Sequence, residues 1–341
     1  MPKDCVSQGK ADQAVQVNVR SASMAPVYQR TIKSPIWCTG TALHLGDKVE
    51  ICLKPAPIDH GVVFKRVDVA GQNALIPATW DNVIDTQLST VIGNDTGLKV
   101  MTIEHLMAAF AGMGIDNVLV EINGSEVPAM DGSSAPFTFL LEYAGIETQN
   151  APRKMLEVLK PVTVQQGDKC AVLAPSKNGF ALDIEIDFAH AAIRRQRYAL
   201  AVTPKNFKEH VAPARTFGFV QDVEMLQKMG LARGADLTNA VALQGDTILN
   251  EEGLRFQNEF ARHKTLDALG DLYTSGFQIR GRYRGMRPGH HINNCVLQAL
   301  FADATNYRFV TMTEADLNIE TSLPESSVAR AEKKALQRMA V

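Results

Sequence analysis

The sequence predicts an α+β chain in two domains, each a sheet layered against helices. Three observations lead there. The chain has 341 residues, the length of two domains of about 150 residues with a core each. Short strand-like stretches recur in both halves with a few helical ones among them, which fits α+β layers better than a regular βαβ series. A polar stretch at 149–154 containing Pro152 interrupts the apolar pattern near the middle. The boundaries drawn on this basis are a mobile leader over 1–28, a first domain over 29–152, a second over 153–303 and a C-terminal tail over 304–341.

The leader has few large apolar groups and no clear period. From Gln29 the pattern becomes strand-like. Residues 48–54 (KVEICLK) alternate, with Val49, Ile51 and Leu53 on one face, and 62–69 reads as another strand. The habit turns helical over 102–114 (TIEHLMAAFAGMG): Thr102 can cap, Glu104 sits in the first turn, and Gly112 and Gly114 end the helix. Residues 117–122 return to strand. Turn residues crowd 126–137 (EVPAMDGSSAPF), and a short helix over 137–143 closes at Gly145.

In the second half, 155–164 and 170–174 read as strands. The clearest strand is 181–188 (ALDIEIDF), with Leu182, Ile184, Ile186 and Phe188 facing in and acidic residues between them. Helices are expected over 223–229, 254–275 and 292–302, and a strand over 277–283. Past Asp303 the signal fades, apart from a charged stretch at 325–339 that suits an exposed helix behind Pro324. No internal repeat is visible by eye.

Composition excludes several functions. Lys plus Arg total 35 against 37 Asp plus Glu, so the formal charge is −2, and aromatics make up 6%. Neither a basic surface nor a base-stacking platform for nucleic acid is indicated. The five cysteines are odd in number, far apart and form no CxxC, which argues against a disulfide framework or a cysteine zinc site. No signal peptide and no membrane-spanning run is visible, so a cytoplasmic, soluble protein is expected, with no obligate protein partner evident. There is no P-loop, HExxH or GxSxG, and no GxGxxG at proper spacing.

Three histidine contexts stand out among the eight histidines. In 260–271 (FARHKTLDALGD), His263 and Asp267 are four apart, about 40° around a helix, so both can grip one ion. The same spacing also serves a plain hydrogen bond on an exposed helix. Asp271 continues that polar stripe, and Leu266, Leu269 and Leu272 supply a buried face. Glu104-His105 opens a helix; one side chain can bind a metal while the other addresses the metal's ligand. Alone, it reads better as an acidic first turn stabilised by the helix dipole. Gly289-His290-His291 precedes a core helix, where a cationic His290 needs a carboxylate beside it. Together, two histidines and an aspartate with a fourth position open are the pattern of catalytic zinc, with a glutamate for general base and another histidine for acid or charge stabiliser.

Four segments then carry a resemblance: 39–46 (TGTALHLG), 102–132 (TIEHLMAAFAGMGIDNVLVEINGSEVPAMDG), 215–219 (RTFGF) and 250–270 (NEEGLRFQNEFARHKTLDALG), followed by 289–294 (GHHINN). From about residue 29 to 303 the chain resembles the zinc-dependent UDP-3-O-acyl-N-acetylglucosamine deacetylases of lipid A (lipopolysaccharide) biosynthesis. The resemblance implies two similar α+β domains with the active site at their interface. It also implies an insert in the second domain, around 181–201, that shapes a passage for the acyl chain; Arg194, Arg195 and Arg197 are expected to face out of it.

The implied activity is removal of the N-acetyl group from acylated UDP-N-acetylglucosamine, giving UDP-3-O-acyl-glucosamine and acetate. Carried over by motif, His105, His263 and Asp267 are the zinc ligands and Glu104 the general base for the attacking water. His290, directly after the glycine, is the second catalytic group, and Asp271 orients it. Thr216 donates to the oxyanion, Phe217 packs on the sugar, and Lys264 contacts polar or phosphate groups of the substrate. His291 departs from the small residue usual there. Two other readings fit the residues alone: another zinc amidohydrolase of nucleotide sugars, and a non-catalytic module built on a closed structural zinc.

Overall fold

Each half of the chain opens with one strand followed by a hairpin of the same build. The structure, a computed structural model, describes residues 25–70 and 73–317. In the first half, strands Ile36–Thr41 and Lys48–Pro55 form an antiparallel hairpin. Val118–Ile122 joins it antiparallel, Val62–Arg66 lies parallel to Val118–Ile122, and Leu75–Pro77 closes the sheet. Val49, Ile51 and Leu53 are buried, as their alternation predicts. Helix α1 (Glu104–Met113) precedes the central strand and α2 (Ala135–Ala144) follows it. Every residue of α1 is buried, which is why its sequence is apolar nearly all round.

The second half repeats that plan. Val162–Gln166 and Lys169–Ala174 form the hairpin, and Gln278–Met286 joins it antiparallel. Phe180–Asp187 lies parallel to Gln278–Met286 and pairs outward with Arg195–Ala201. Between that hairpin and the central strand come α3 (Pro204–His210), α4 (Val220–Lys228) and α5 (Glu259–Tyr273), and α6 (His290–Phe301) follows it. With the shorter elements between them set aside, hairpin, two further strands, helix, central strand and helix follow in the same order in both halves. The repeat lies in the topology and leaves no trace legible in the residues. The halves meet where α1 packs on α5, and one apolar core runs through both.

Several elements differ from expectation. The stretch 155–164 is two strands, Lys154–Val158 and Val162–Gln166, parted at Pro161, which has no N–H to give a ladder. The polar boundary at 149–154 overlaps a strand, Ile146–Pro152, paired with Tyr28–Ile32. No residue of Ile146–Pro152 is buried, so polar residues suit it. Arg195–Ala201 and α3 had no sequence expectation. The leader's last residues are built in: Val27 packs with Met155 and Met312. The second sheet also runs past 303, since Tyr307–Thr311 pairs with Lys154–Val158. That strand is half exposed and lacks clean alternation, which hides it. The leader before residue 25 and the helix expected over 325–339 lie outside the described residues.

Strand Phe180–Asp187 carries the largest surprise in packing. Leu182, Ile184 and Ile186 are buried, but so are the acidic residues between them. Asp183, 1% exposed, accepts from Arg197 Nε at 2.8 Å and Arg284 Nη1 at 2.6 Å. Glu185 accepts from Arg284 Nη2 at 2.9 Å and is paired with Arg195. The strand lies between two others, and neighbouring arginines cover its polar face. Arg194, Arg195 and Arg197 are themselves exposed. Among the described residues no helix is long and apolar enough to cross a membrane.

Candidate metal centre and active site

A strained turn aims the first two residues of α1. Thr102 has φ +58°, the left-handed region, where a β-branched residue costs on the order of 1–3 kcal/mol. Its hydroxyl donates to Glu126 Oε1 at 2.9 Å. The same buried carboxylate accepts the backbone N–H of His44 at 3.0 Å and of Leu45 at 2.9 Å, so it ties the 39–46 loop to the entry of α1. Ser134, before α2, donates its hydroxyl to the His105 carbonyl at 2.6 Å. Glu104 and His105 are both buried in the resulting first turn.

Opposite them, α5 presents His263 and Asp267 on one face, one turn apart. Asp267 Oδ1 lies 3.6 Å from His105 Nε2 and 3.3 Å from His263 Nε2. One ligand atom from each of the three residues falls within 4.8 Å of the others. His263 Nδ1 is 3.1 Å from the Ala214 carbonyl, which can only accept, so the proton sits on Nδ1 and the Nε2 lone pair faces Asp267. Burial pushes the His263 imidazole down to about 3, keeping it in the neutral form that ligates metals. Asp267 Oδ2 accepts from Lys264 Nζ at 2.6 Å, while Oδ1 is buried with no hydrogen-bond partner. An orphaned carboxylate oxygen facing two imidazole nitrogens is costly unless a cation joins them. Two histidines and one carboxylate are a donor set that zinc accepts.

A second cluster adjoins the first. His290, at the start of α6, places Nδ1 2.9 Å from Asp271 Oδ2 and 3.2 Å from Oδ1, and Nε2 3.8 Å from Glu104 Oε1. Asp271 lies one turn beyond Asp267 on α5. It also accepts from Thr90 Oγ1 at 2.6 Å and from Asn293 Nδ2 at 2.8 Å. Burial alone would lower His290, but the Asp271 and Glu104 carboxylates outweigh it and raise the imidazole to about 9. Burial raises Glu104, against the opposing pull of His290 and His105.

Gly132 lets the Thr216 segment approach: at φ +81°, a Cβ there would lie 2.0 Å from the Asn239 carbonyl oxygen. Thr216 donates its N–H to the Gly132 carbonyl at 2.8 Å and immediately precedes the strand Phe217–Phe219. The Phe217 ring is 6.2 Å from the His263 ring, 4.8 Å from Phe260 and 5.8 Å from Phe188. It therefore links the His/Asp cluster to the end of the Phe180–Asp187 strand. Lys264 Nζ stands 5.7 Å over the same ring.

His291 stands apart. It is exposed, with Nδ1 3.2 Å from Thr86 Oγ1 and Nε2 3.6 Å from Cys295 Sγ. The motifs did not single out Thr90, Glu126 or Asn293 for the site. Glu126 and Asn293 lie inside quoted motifs, but nothing in their spacing signals whom they bond. Thr90 lies in none.

A family model described as UDP-3-O-acyl N-acetylglycosamine deacetylase matches residues 29–302. The UDP-3-O-acyl-N-acetylglucosamine deacetylase of Photobacterium profundum is 45% identical over 300 residues, covering 87% of this chain and 98% of that protein. The enzyme of the same name from Acidithiobacillus ferrooxidans is 47% identical over 290 residues, covering 84% and 94%. That of Vibrio parahaemolyticus is 46% identical over 290 residues, again covering 84% and 94%. With the match spanning most of the chain and holding the two clusters within it, the chain belongs to the UDP-3-O-acyl N-acetylglycosamine deacetylase family.

Proposed function

We propose that this chain hydrolyses the acetamide of UDP-3-O-acyl-N-acetylglucosamine, releasing acetate and UDP-3-O-acyl-glucosamine for lipid A biosynthesis, with one zinc ion held by His105, His263 and Asp267. The observation that carries the zinc is the unpartnered, buried Asp267 Oδ1 facing His105 Nε2 and His263 Nε2. Zinc in such a site supplies a Lewis acid that polarises a carbonyl and acidifies water.

The chain's own residues do the rest. Glu104, buried beside His105, takes a proton from the attacking water. His290, held cationic by Asp271, donates from Nε2 to the oxyanion that develops on the acetamide, and Thr216 adds a second donor. The C–N bond then breaks, and the amine leaves with a proton handed over by Glu104, which took one from the water, or by cationic His290. Phe217 offers a ring face to the sugar, and Lys264 a charge to its polar substituents. The neighbouring rings of Phe188, Phe217 and Phe219 lie between the strand Phe180–Asp187 and the site, and they are the proposed lining of a passage for the acyl chain. The two domains divide near residue 152. The cytoplasm is the proposed compartment, in keeping with free thiols at Cys38, Cys52 and Cys295.

The test is acetate release from the acylated UDP-sugar, with and without a chelator. Release that stops on chelation and returns with zinc is expected. Release untouched by complete metal removal would overturn the zinc reading.

A further inference from the structure

Thr90, 2% exposed, touches both halves of the site although it belongs to no motif. It immediately precedes the short strand Val91–Gly93. Its backbone N–H donates to Glu104 Oε2 at 3.0 Å, and its hydroxyl donates to Asp271 Oδ1 at 2.6 Å. Its carbonyl accepts the N–H of Ile103, at the start of α1, at 3.3 Å. Glu104 is on α1 in the first half of the chain, and Asp271 on α5 in the second. One residue thus bonds two buried carboxylates carried by different helices. Left to themselves, two such charges repel and turn away from each other.

The bonds also decide which oxygen does what. With Oε2 of Glu104 taken by Thr90, Oε1 is the oxygen left toward His290 Nε2. With Oδ1 of Asp271 taken by the Thr90 hydroxyl, Oδ2 makes the closer approach to His290 Nδ1. An ionised carboxylate has no proton to give, so Thr90 is the donor in both contacts. We propose that Thr90 is a positioning residue for the deacetylation, locking the general base Glu104 and the Asp271–His290 pair into one geometry across the two domains. This rests on the catalytic reading above and adds to it a residue that never touches substrate.

The experiment compares Thr90→Val, which keeps the shape and the backbone but loses the hydroxyl, with Thr90→Ser, which keeps the hydroxyl. Losing a hydrogen bond to a charged group predicts that Thr90→Val lowers kcat about 10- to 100-fold, with KM within about twofold and metal content and melting temperature retained. Thr90→Ser should recover kcat to within about threefold of the parent. Added to Asp271→Asn, Thr90→Val should cost less than about threefold more, because the partner is already altered.

A reading independent of turnover comes from the downfield proton resonance of the His290–Asp271 hydrogen bond. It should move in Thr90→Val and return in Thr90→Ser. Parental kcat in Thr90→Val, a Thr90→Ser variant as impaired as Thr90→Val, full multiplication of the two losses, or an unmoved resonance would each overturn the role given to Thr90. A parent enzyme that releases no acetate would instead defeat the catalytic reading, and the resonance would still decide whether Thr90 sets the pair.

Discussion

Gly270 of α5 lies against the main chain of Glu104 in α1: a Cβ on Gly270 would sit 2.0 Å from the Glu104 carbonyl oxygen and 3.1 Å from the Ala108 nitrogen. The two helices therefore cross at backbone contact, between the turn that carries Asp267 and the residue Asp271. Gly270→Ala forces them apart, because backbone cannot yield as a flexible side chain does. A loss of at least about 1–3 kcal/mol is expected, seen as a lower melting temperature, together with weaker metal retention as His105 moves from Asp267. An unchanged melting temperature and metal content would show that the crossing does not set the site.

The donor set predicts one zinc per chain. His263→Ala removes one imidazole from three protein ligands and leaves Asp267 Oδ1 with a single neighbouring nitrogen. Metal analysis after gel filtration should show a large loss. Full retention of tightly bound zinc in this variant would remove His263 from the centre.

Glu104 should separate from the ligands in its effect. Glu104→Gln keeps the size and the contact with the Thr90 N–H, so fold and metal content should stay. Without a carboxylate to accept the proton, turnover should fall by about 10²–10⁴-fold, the usual worth of general-base catalysis. Near-normal turnover at normal metal content would exclude Glu104 as the base.

How much of this was legible in the sequence depends on whether a feature is local. The spacing of His263 and Asp267 and the Glu104-His105 pair at a helix start are local, and both stand in the structure on the elements that their periodicity indicated. The alternation of 48–54 likewise gives its buried face directly. What stayed hidden depends on contacts distant in the chain. Thr90 reaches Asp271 across 181 positions, and no pattern around Thr90 announces it. Asp183 and Glu185 read as the polar side of a strand, yet Arg284 covers them from a strand a hundred residues on. The repeated topology is invisible for the same reason: each half needs the same order of pairing, not the same residues.

The acyl chain supplies a test of the passage. Phe217, 6.2 Å from the His263 ring, touches Phe188 just past the strand Phe180–Asp187, so apolar side chains run from the cluster into that region. Each methylene buried there contributes about 0.8 kcal/mol at most, and four would amount to about 3 kcal/mol, or roughly 100-fold. UDP-N-acetylglucosamine without its acyl chain should therefore lose at least two orders of magnitude in kcat/KM, part of it in kcat through poorer placement of the acetamide. Equal kcat/KM for both would refute the passage.

The last prediction concerns His290 and pH. An ordinary imidazole titrates at about 6.5, and in the folded chain this one is raised to about 9. Both states are protonated below about 6.5, so the pair with Asp271 stabilises the fold fully there, and that contribution fades as pH rises through about 9. Catalysis should follow the same group, since neutral His290 no longer offers a cationic donor. Turnover should then have a basic limb near 9, belonging to the coupled Glu104–His290 pair rather than to one residue. Asp271→Asn removes the counter-charge while Asn293 and Thr90 keep polar partners in place, so the basic limb should move to lower pH. His290→Ala should depress kcat far more than His291→Ala, because His291 faces Thr86 and Cys295 and makes no contact with the carboxylates of the site. A basic limb that stays in place in Asp271→Asn, or equal losses in the two histidine variants, would show that another group carries the proton.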